Sequence, residues 1–195
     1  TPEKLDELAA MKPHAVVLAC GGQPIVPGRI PGIEKGIASF DVLRGDVKLT
    51  GKRVAVIGGG MTGLETAERL AEDGNEVIVV EMAPIVGNGI FYYNVVKTQQ
   101  FLTERGASIK TNTALREIKD GAIVVEPWHG KFVSASLKGM RNINGYVAAG
   151  EAEQTDPYEI PVDCTVLSLG IRPDSSLLEE LESRFENVVA TGDCV

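Results

Sequence analysis

Residues 52–81 read KRVAVIGGGMTGLETAERLAEDGNEVIVVE, and this stretch decides the fold. RVAVI, residues 53–57, has the length and apolar content of a buried strand. It runs straight into Gly58-Gly59-Gly60-Met61-Thr62-Gly63. From Thr62 the period changes. Leu64, Ala67, Leu70 and Ala71 recur at helical spacing, with Glu65, Glu68, Arg69 and Glu72 between them. Gly74 stands where a left-handed residue closes a helix. EVIVV, residues 76–80, is the next buried strand, and Glu81 follows at once.

Working outward, a second helix is expected from about 90 to 105, with Phe91, Val95 and Leu102 on one face and Gly106 at its end. ASIK then opens a further strand. Strand, helix, strand, helix, strand is a βαβαβ unit, which implies a Rossmann-like parallel sheet with right-handed crossovers in an α/β fold. The stretch from about 114 to 163 differs. Its short alternating runs AIVVE, KFVSASL and GYVAA are broken by Pro127, Gly130, Gly139 and Gly145, and read as an antiparallel meander packed on the parallel sheet. On the N-terminal side, HAVVLAC (14–20) reads as a strand entering a turn at Gly21–Gly22, and QPIVPGRIPG as a connecting loop. On the C-terminal side, VDCTVLSL (162–169) is a buried strand ending at Gly170, SLLEELESRF a short amphipathic helix, and NVVATGD a last strand and turn.

Composition narrows the function. The 195 residues carry 19 Lys+Arg against 27 Asp+Glu, a net charge of −8, so no basic face for nucleic acid or an anionic membrane is expected. No apolar run reaches the roughly 18–20 residues that span a bilayer. The opening TPEKLDELAA lacks the basic-then-apolar pattern of a secretory leader. Cys20, Cys164 and Cys194 are widely spaced and odd in number, which fits reduced, cytoplasmic core residues better than a redox pair. His14 and His129 have no partner at ligand spacing, so no metal site is expected.

The glycines of G-x-G-x-x-G are a weak signal alone, and their setting strengthens them. Gly58 permits the sharp turn out of the strand, Gly60 lets backbone approach a pyrophosphate, and Gly63 lets the helix pack closely on the sheet. Helix-start amides and the positive dipole end suit an anion, so Gly58, Gly59, Gly60, Met61, Thr62 and Gly63 are expected to hold the pyrophosphate. Glu81, 23 residues after Gly58, is placed to accept from the adenosine ribose hydroxyls, with Met82 beside it. A carboxylate there repels a 2′-phosphate, and no Arg stands between Arg69 and Arg105, so NADH is expected over NADPH. No Ser/His/Asp or Cys/His constellation is visible, and hydride transfer needs none, so no catalytic side chain is assigned.

Three glycine turns now stand in order: AVVLACGGQPIVPGRIPG, GKRVAVIGGGMTGLETAERL, and DCTVLSLGIRPDSSLLEEL followed by ATGDCV. Together they resemble the two-dinucleotide-binding-domain flavoprotein reductases, the pyridine nucleotide-disulfide oxidoreductase superfamily. The resemblance covers nearly the whole chain. It implies an NAD(P)H-binding domain inserted into an FAD-binding domain. Residues 1–42 would then be an FAD-domain segment and crossover, 43–168 the NAD(H)-binding domain, and 169–195 the return crossover and a truncated FAD-domain segment. It also implies that Asp193 bonds FAD, that Glu65 lies near the nicotinamide, and that Gly170 lets backbone approach that half. Thr1 in place of Met, and a last stretch with no closing element, read as a segment of a longer chain, whose FAD glycine motif would lie upstream. The segment alone is then expected to bind NADH without turnover. DVLRGDVKLTGKRVAVIGGG and EVIVVEM are similar to the branch of 2,4-dienoyl-CoA reductase and enoate reductases. That branch implies an N-terminal FMN barrel and a 4Fe-4S cluster, with electrons passing from NADH through FAD to FMN. Such dienoyl-CoA reductases favour NADPH, which Glu81 disfavours, so NADH:flavin oxidoreductase or NADH oxidase is the better description. The alternatives are a disulfide-reductase-like flavoenzyme and a non-catalytic nucleotide-binding or electron-transfer module.

Overall fold

The structure, a computed structural model, describes residues 2–88, 90–128 and 156–194. Two compact units emerge: Val26–Gly170, and Thr1–Ile25 together with Ile171–Val195.

The Val26–Gly170 unit is built on a parallel sheet. Its strands are β3 (Ile37–Ala38), β4 (Arg53–Ile57), β5 (Glu76–Val80), β6 (Ser108–Lys110) and β10 (Cys164–Leu167). They lie in the order β3-β10-β4-β5-β6. The crossover helices are α3 (Met61–Glu72) between β4 and β5, and α4 (Tyr92–Glu104) between β5 and β6. This is the βαβαβ unit expected from residues 52–110, except that Phe91 precedes α4 and is exposed rather than sharing the buried face of Val95 and Leu102. Gly74, at φ 81, ends the α3 turn.

Alternation along the strands explains the layers. Val54, Val56, Val77 and Val79 face one way, and pack with Leu64, Ala67 and Leu70 of α3 and Val95 and Leu102 of α4. Ala55, Ile57, Ile78 and Val80 face the other way. They meet Leu115, Ile118, Ile123, Val125 and Ile160 from an antiparallel sheet of β7 (Thr113–Lys119), β8 (Ala122–Pro127) and β9 (Tyr158–Pro161). Because both faces are covered, β4 and β5 are apolar at nearly every position, as buried parallel strands must be. AIVVE is β8; KFVSASL and GYVAA lie outside the described residues.

Two stretches depart from the sequence reading. GIASFDVLR, which carries no long periodic run, forms the short edge strand β3 and α2 (Ser39–Arg44), closed by Gly45 at φ 82. QPIVPGRIPG is not wholly a loop. Gly22–Pro24 forms β2, paired antiparallel with β11 (Ile171–Pro173) through Pro24↔Ile171 and Gly22↔Pro173. A partner nearly 150 residues away leaves no trace in local periodicity.

The other unit also contains α1 (Pro2–Ala10), β1 (Val16–Leu18), α5 (Leu178–Arg184) and β12 (Val188–Ala190). β1 and β12 pair parallel, and Leu5, Val16, Leu18, Leu181 and Cys194 form its core. Asp174 accepts from Gln23 Nε2 at 2.9 Å and from the Ser176 amide at 3.2 Å, pinning the β2–β11 pair. Its bonds to Ser176 and Gln23 hold its carboxyl below the usual carboxylate range. Among the described residues no helix is long and apolar enough to cross a membrane.

Candidate functional site: a glycine turn clasped by a carboxylate

The sheet order reverses at β4. From β4 the chain advances through β5 to β6 on one flank, while β10 occupies the other. The carboxyl ends of strands at such a reversal frame the usual ligand crevice of an open α/β sheet. Gly58–Gly63 leaves β4 at that point.

The glycines divide by what surrounds them. Gly58 adopts φ 104, and a Cβ on it would fall inside contact distance of the Ser168 carbonyl oxygen, just past β10. A Cβ on Gly63 would collide with the Gly58 carbonyl oxygen, so Gly63 sets how closely α3 approaches the strand. One on Gly59 would meet Val86 Cγ1 at 2.6 Å. Gly60 is different. It caps α3 at φ −70 and ψ −172, a conformation open to any residue, and a Cβ there would have nothing within 4 Å. Packing and backbone geometry therefore explain glycine at 58, 59 and 63 but not at 60.

Each part of the turn is tied down. The Gly58 amide donates to Val80 O at 2.8 Å, and the Gly59 carbonyl accepts from the Gly87 amide at 2.7 Å. Glu81, half-buried at the end of β5, accepts from the Gly59 amide through Oε2 and from the Ala83 amide through Oε1, both at 2.6 Å. Its own amide donates to Lys110 O at 2.8 Å. One carboxylate thus fastens the glycine turn to the loop after β5. A carboxylate has about four lone-pair positions, so two acceptor positions remain for other donors. The amides of Gly60, Met61 and Thr62 have no protein partner among the described residues, and no side chain caps α3.

Unpaired helix-start amides, open space at Gly60 and a carboxylate with acceptor capacity at the neighbouring strand end suit a dinucleotide's pyrophosphate and ribose. Met61 and Met82 flank this region and are 58% and 49% exposed, leaving apolar surface uncovered beside it. Glu65 is the fifth residue of α3, beyond its first turn, and is exposed. Gly170 sits two residues past Ser168, at φ 88. Asp193 belongs to the other unit, exposed in the turn Gly192–Cys194. Sequence reading missed Val86 and Gly87, which brace Gly59 from the loop after β5. That loop is irregular, and its glycine was indistinguishable from a simple breaker. It also missed Lys110, whose ammonium lies 6.0 Å from the Tyr158 ring centroid.

The chain is similar to several known proteins. The chain is 35% identical over 131 residues to an NADH oxidase of Thermoanaerobacter brockii, covering 65% of this chain and 20% of that protein. It is 27% identical over 192 residues to a bilirubin reductase of Mediterraneibacter gnavus, covering 96% of this chain and 25% of the relative. Among solved structures, a 2-naphthoyl-CoA reductase superposes with a TM-score of 0.74 at 26% identity, over 97% of this chain and 25% of that one. The chain therefore spans a fifth to a quarter of the length of these relatives. The family model for pyridine nucleotide-disulphide oxidoreductases matches residues 2–188, which include the glycine turn, its carboxylate clasp and most of both compact units, and the chain belongs to that family.

Proposed function

We propose that this chain is the NADH-binding part of an FAD-dependent oxidoreductase in which hydride passes from NADH to FAD. The observation that carries the reading is Gly60. It is a glycine that neither fold nor backbone requires, beside unpaired amides at the start of α3. When bound, NADH supplies the hydride, and the protein supplies position and charge. The amides of Gly60, Met61 and Thr62 donate to pyrophosphate oxygens, and the α3 dipole favours that charge. Glu81 accepts from the adenosine ribose while still holding Gly59 and Ala83. On this reading Met82 borders the adenosine half, Gly170 lets backbone approach the nicotinamide half, and Glu65 orients the carboxamide. Asp193 is given to FAD, residues 1–42 to an FAD-domain segment and crossover, and residues 169–195 to the return crossover and a further FAD-domain segment.

Onward transfer to an FMN-containing module with a 4Fe-4S cluster, reducing an activated C=C bond in a cytoplasmic setting, is the finer form of the proposal. The likeness to 2-naphthoyl-CoA reductase supports it, as do the NADH oxidase relatives for the use of NADH.

Cofactor choice tests the reading directly. Calorimetric titration of the chain is expected to show NADH binding at least about tenfold tighter than NADPH, a difference of about 1.4 kcal/mol. The cause is repulsion between the Glu81 carboxylate and a 2′-phosphate. In Glu81→Gln the charge goes while one acceptor oxygen stays. NADH should weaken and the preference should shrink toward parity. Tighter NADPH binding by the unaltered chain would overturn the assignment.

A further inference from the structure

We propose that Cys20 and Cys194 are a thiol pair that closes to a reversible disulfide, tying the end of β1 to the end of β12. They are 174 residues apart in sequence and belong to the same compact unit. β1 and β12 run parallel in register, Leu18 opposite Ala190, so the segments that leave them start side by side. The Thr191 amide donates to Leu18 O at 3.0 Å, and Cys194 Sγ donates to the same carbonyl at 3.2 Å. Four residues on, a Cβ at Gly22 would lie 3.1 Å from Asp193 O. Residues 18–22 therefore run along residues 191–194 with contacts at both ends, and Cys20 lies between those contacts. Cys20 Sγ donates to Asp174 O at 3.1 Å and Cys194 Sγ also to Thr191 O at 2.9 Å, so closing the pair exchanges thiol–carbonyl bonds for one bond between the sulfurs. Cys20 is exposed and Cys194 is fully buried, an asymmetry that makes Cys20 the entry point and Cys194 the resolving thiol.

The oxidant is a low-molecular-weight disulfide such as oxidised glutathione. The Cys20 thiolate, its proton lost to solvent, attacks one glutathione sulfur. A Cys20–glutathione bond forms and one glutathione thiolate leaves. Cys194, deprotonated in turn, attacks Cys20 Sγ; the Cys20–Cys194 bond forms and the second glutathione leaves. Two protein thiols lose two electrons and one glutathione disulfide gains them, yielding two thiols. Loss of solvent around it, the neighbouring Cys194 and the Asp174 carboxylate hold the Cys20 thiol above its ordinary pKa. The first step is accordingly slow near neutrality, and its rate should rise about tenfold per pH unit until that raised pKa is reached.

To test the pair, the whole chain is incubated with oxidised glutathione, trapped with iodoacetamide, digested and mapped by mass spectrometry. A linked Cys20–Cys194 peptide is expected, with Cys164 alkylated and the link reversed by dithiothreitol. In Cys194→Ser the glutathione adduct on Cys20 should persist, because nothing resolves it. In Cys20→Ser, Cys194 should stay unmodified until the chain is unfolded. A lasting adduct on Cys20 in the unaltered chain with Cys194 free, a link through Cys164, or no reaction at either thiol would each overturn the proposal. Mapping the unaltered chain decides the matter even where a variant fails to fold.

Discussion

Gly60→Asp should leave the fold as stable as before and remove NADH binding. Gly60 caps α3 at φ −70 with no neighbour within 4 Å of a new Cβ, so the substitution meets neither backbone strain nor a clash. Asp is a better helix cap than Gly by a few tenths of a kcal/mol, since its carboxylate accepts from the amides two and three residues on. Those are the amides of Thr62 and Gly63, and Thr62 is among the unpaired ones the pyrophosphate is proposed to use. The new side chain thus fills the space, consumes a donor and places a negative charge against a negative ligand. Affinity should fall by at least about 100-fold, about 2.7 kcal/mol, with an unfolding midpoint in urea unchanged or slightly raised. NADH affinity kept within a few-fold would mean that the α3 start is not where the pyrophosphate sits. An equal loss of stability would mean that Gly60 is structural after all.

The opposite pattern is expected at Gly58. Alanine there meets two obstacles together, a φ of 104 and the Ser168 carbonyl oxygen. Backbone strain of this kind costs about 1–3 kcal/mol, and forcing a methyl group into packed surroundings about the same, so a loss of about 4 kcal/mol is expected. For a chain of this size that lowers the melting temperature by about 8–16 °C, readable by circular dichroism. Binding should suffer too, because Gly58 holds its turn against β5 through Val80 O. A variant as stable as the parent would show that the contact between Gly58 and the β10 exit is looser than the structure has it. Together, the two glycines separate a ligand-facing position from a packing position within one motif, a distinction the motif itself cannot make.

The legible and illegible parts of the molecule differ in a physical way. The helix over Met61–Glu72 was readable because Leu64, Ala67, Leu70 and Ala71 must share one face to be buried, and that requirement acts within a few turns. β4 and β5 were readable because both their faces are covered, which leaves unbroken apolar runs. The pairing of Gly22–Pro24 with Ile171–Pro173 was not, since a three-residue strand containing proline looks like a loop until its partner is known. Glu81 was placed at the ribose position by its spacing from Gly58, yet its grip on the Gly59 and Ala83 amides could not be inferred from spacing. Nor could the bracing of Gly59 by Val86 and Gly87.

Local pattern alone therefore determined the βαβαβ core, the turn that opens α3 and the acidic residue at the end of β5, because each depends on neighbours within one supersecondary unit. Tertiary structure decided which glycines serve packing and which faces open space. It also decided which amides at the α3 start stay unpaired, and that the segments carrying Cys20 and Cys194 leave paired strands side by side. Those outcomes depend on side chains and strand edges brought together from segments up to 174 residues apart, and the periodicity of a single segment holds no record of them.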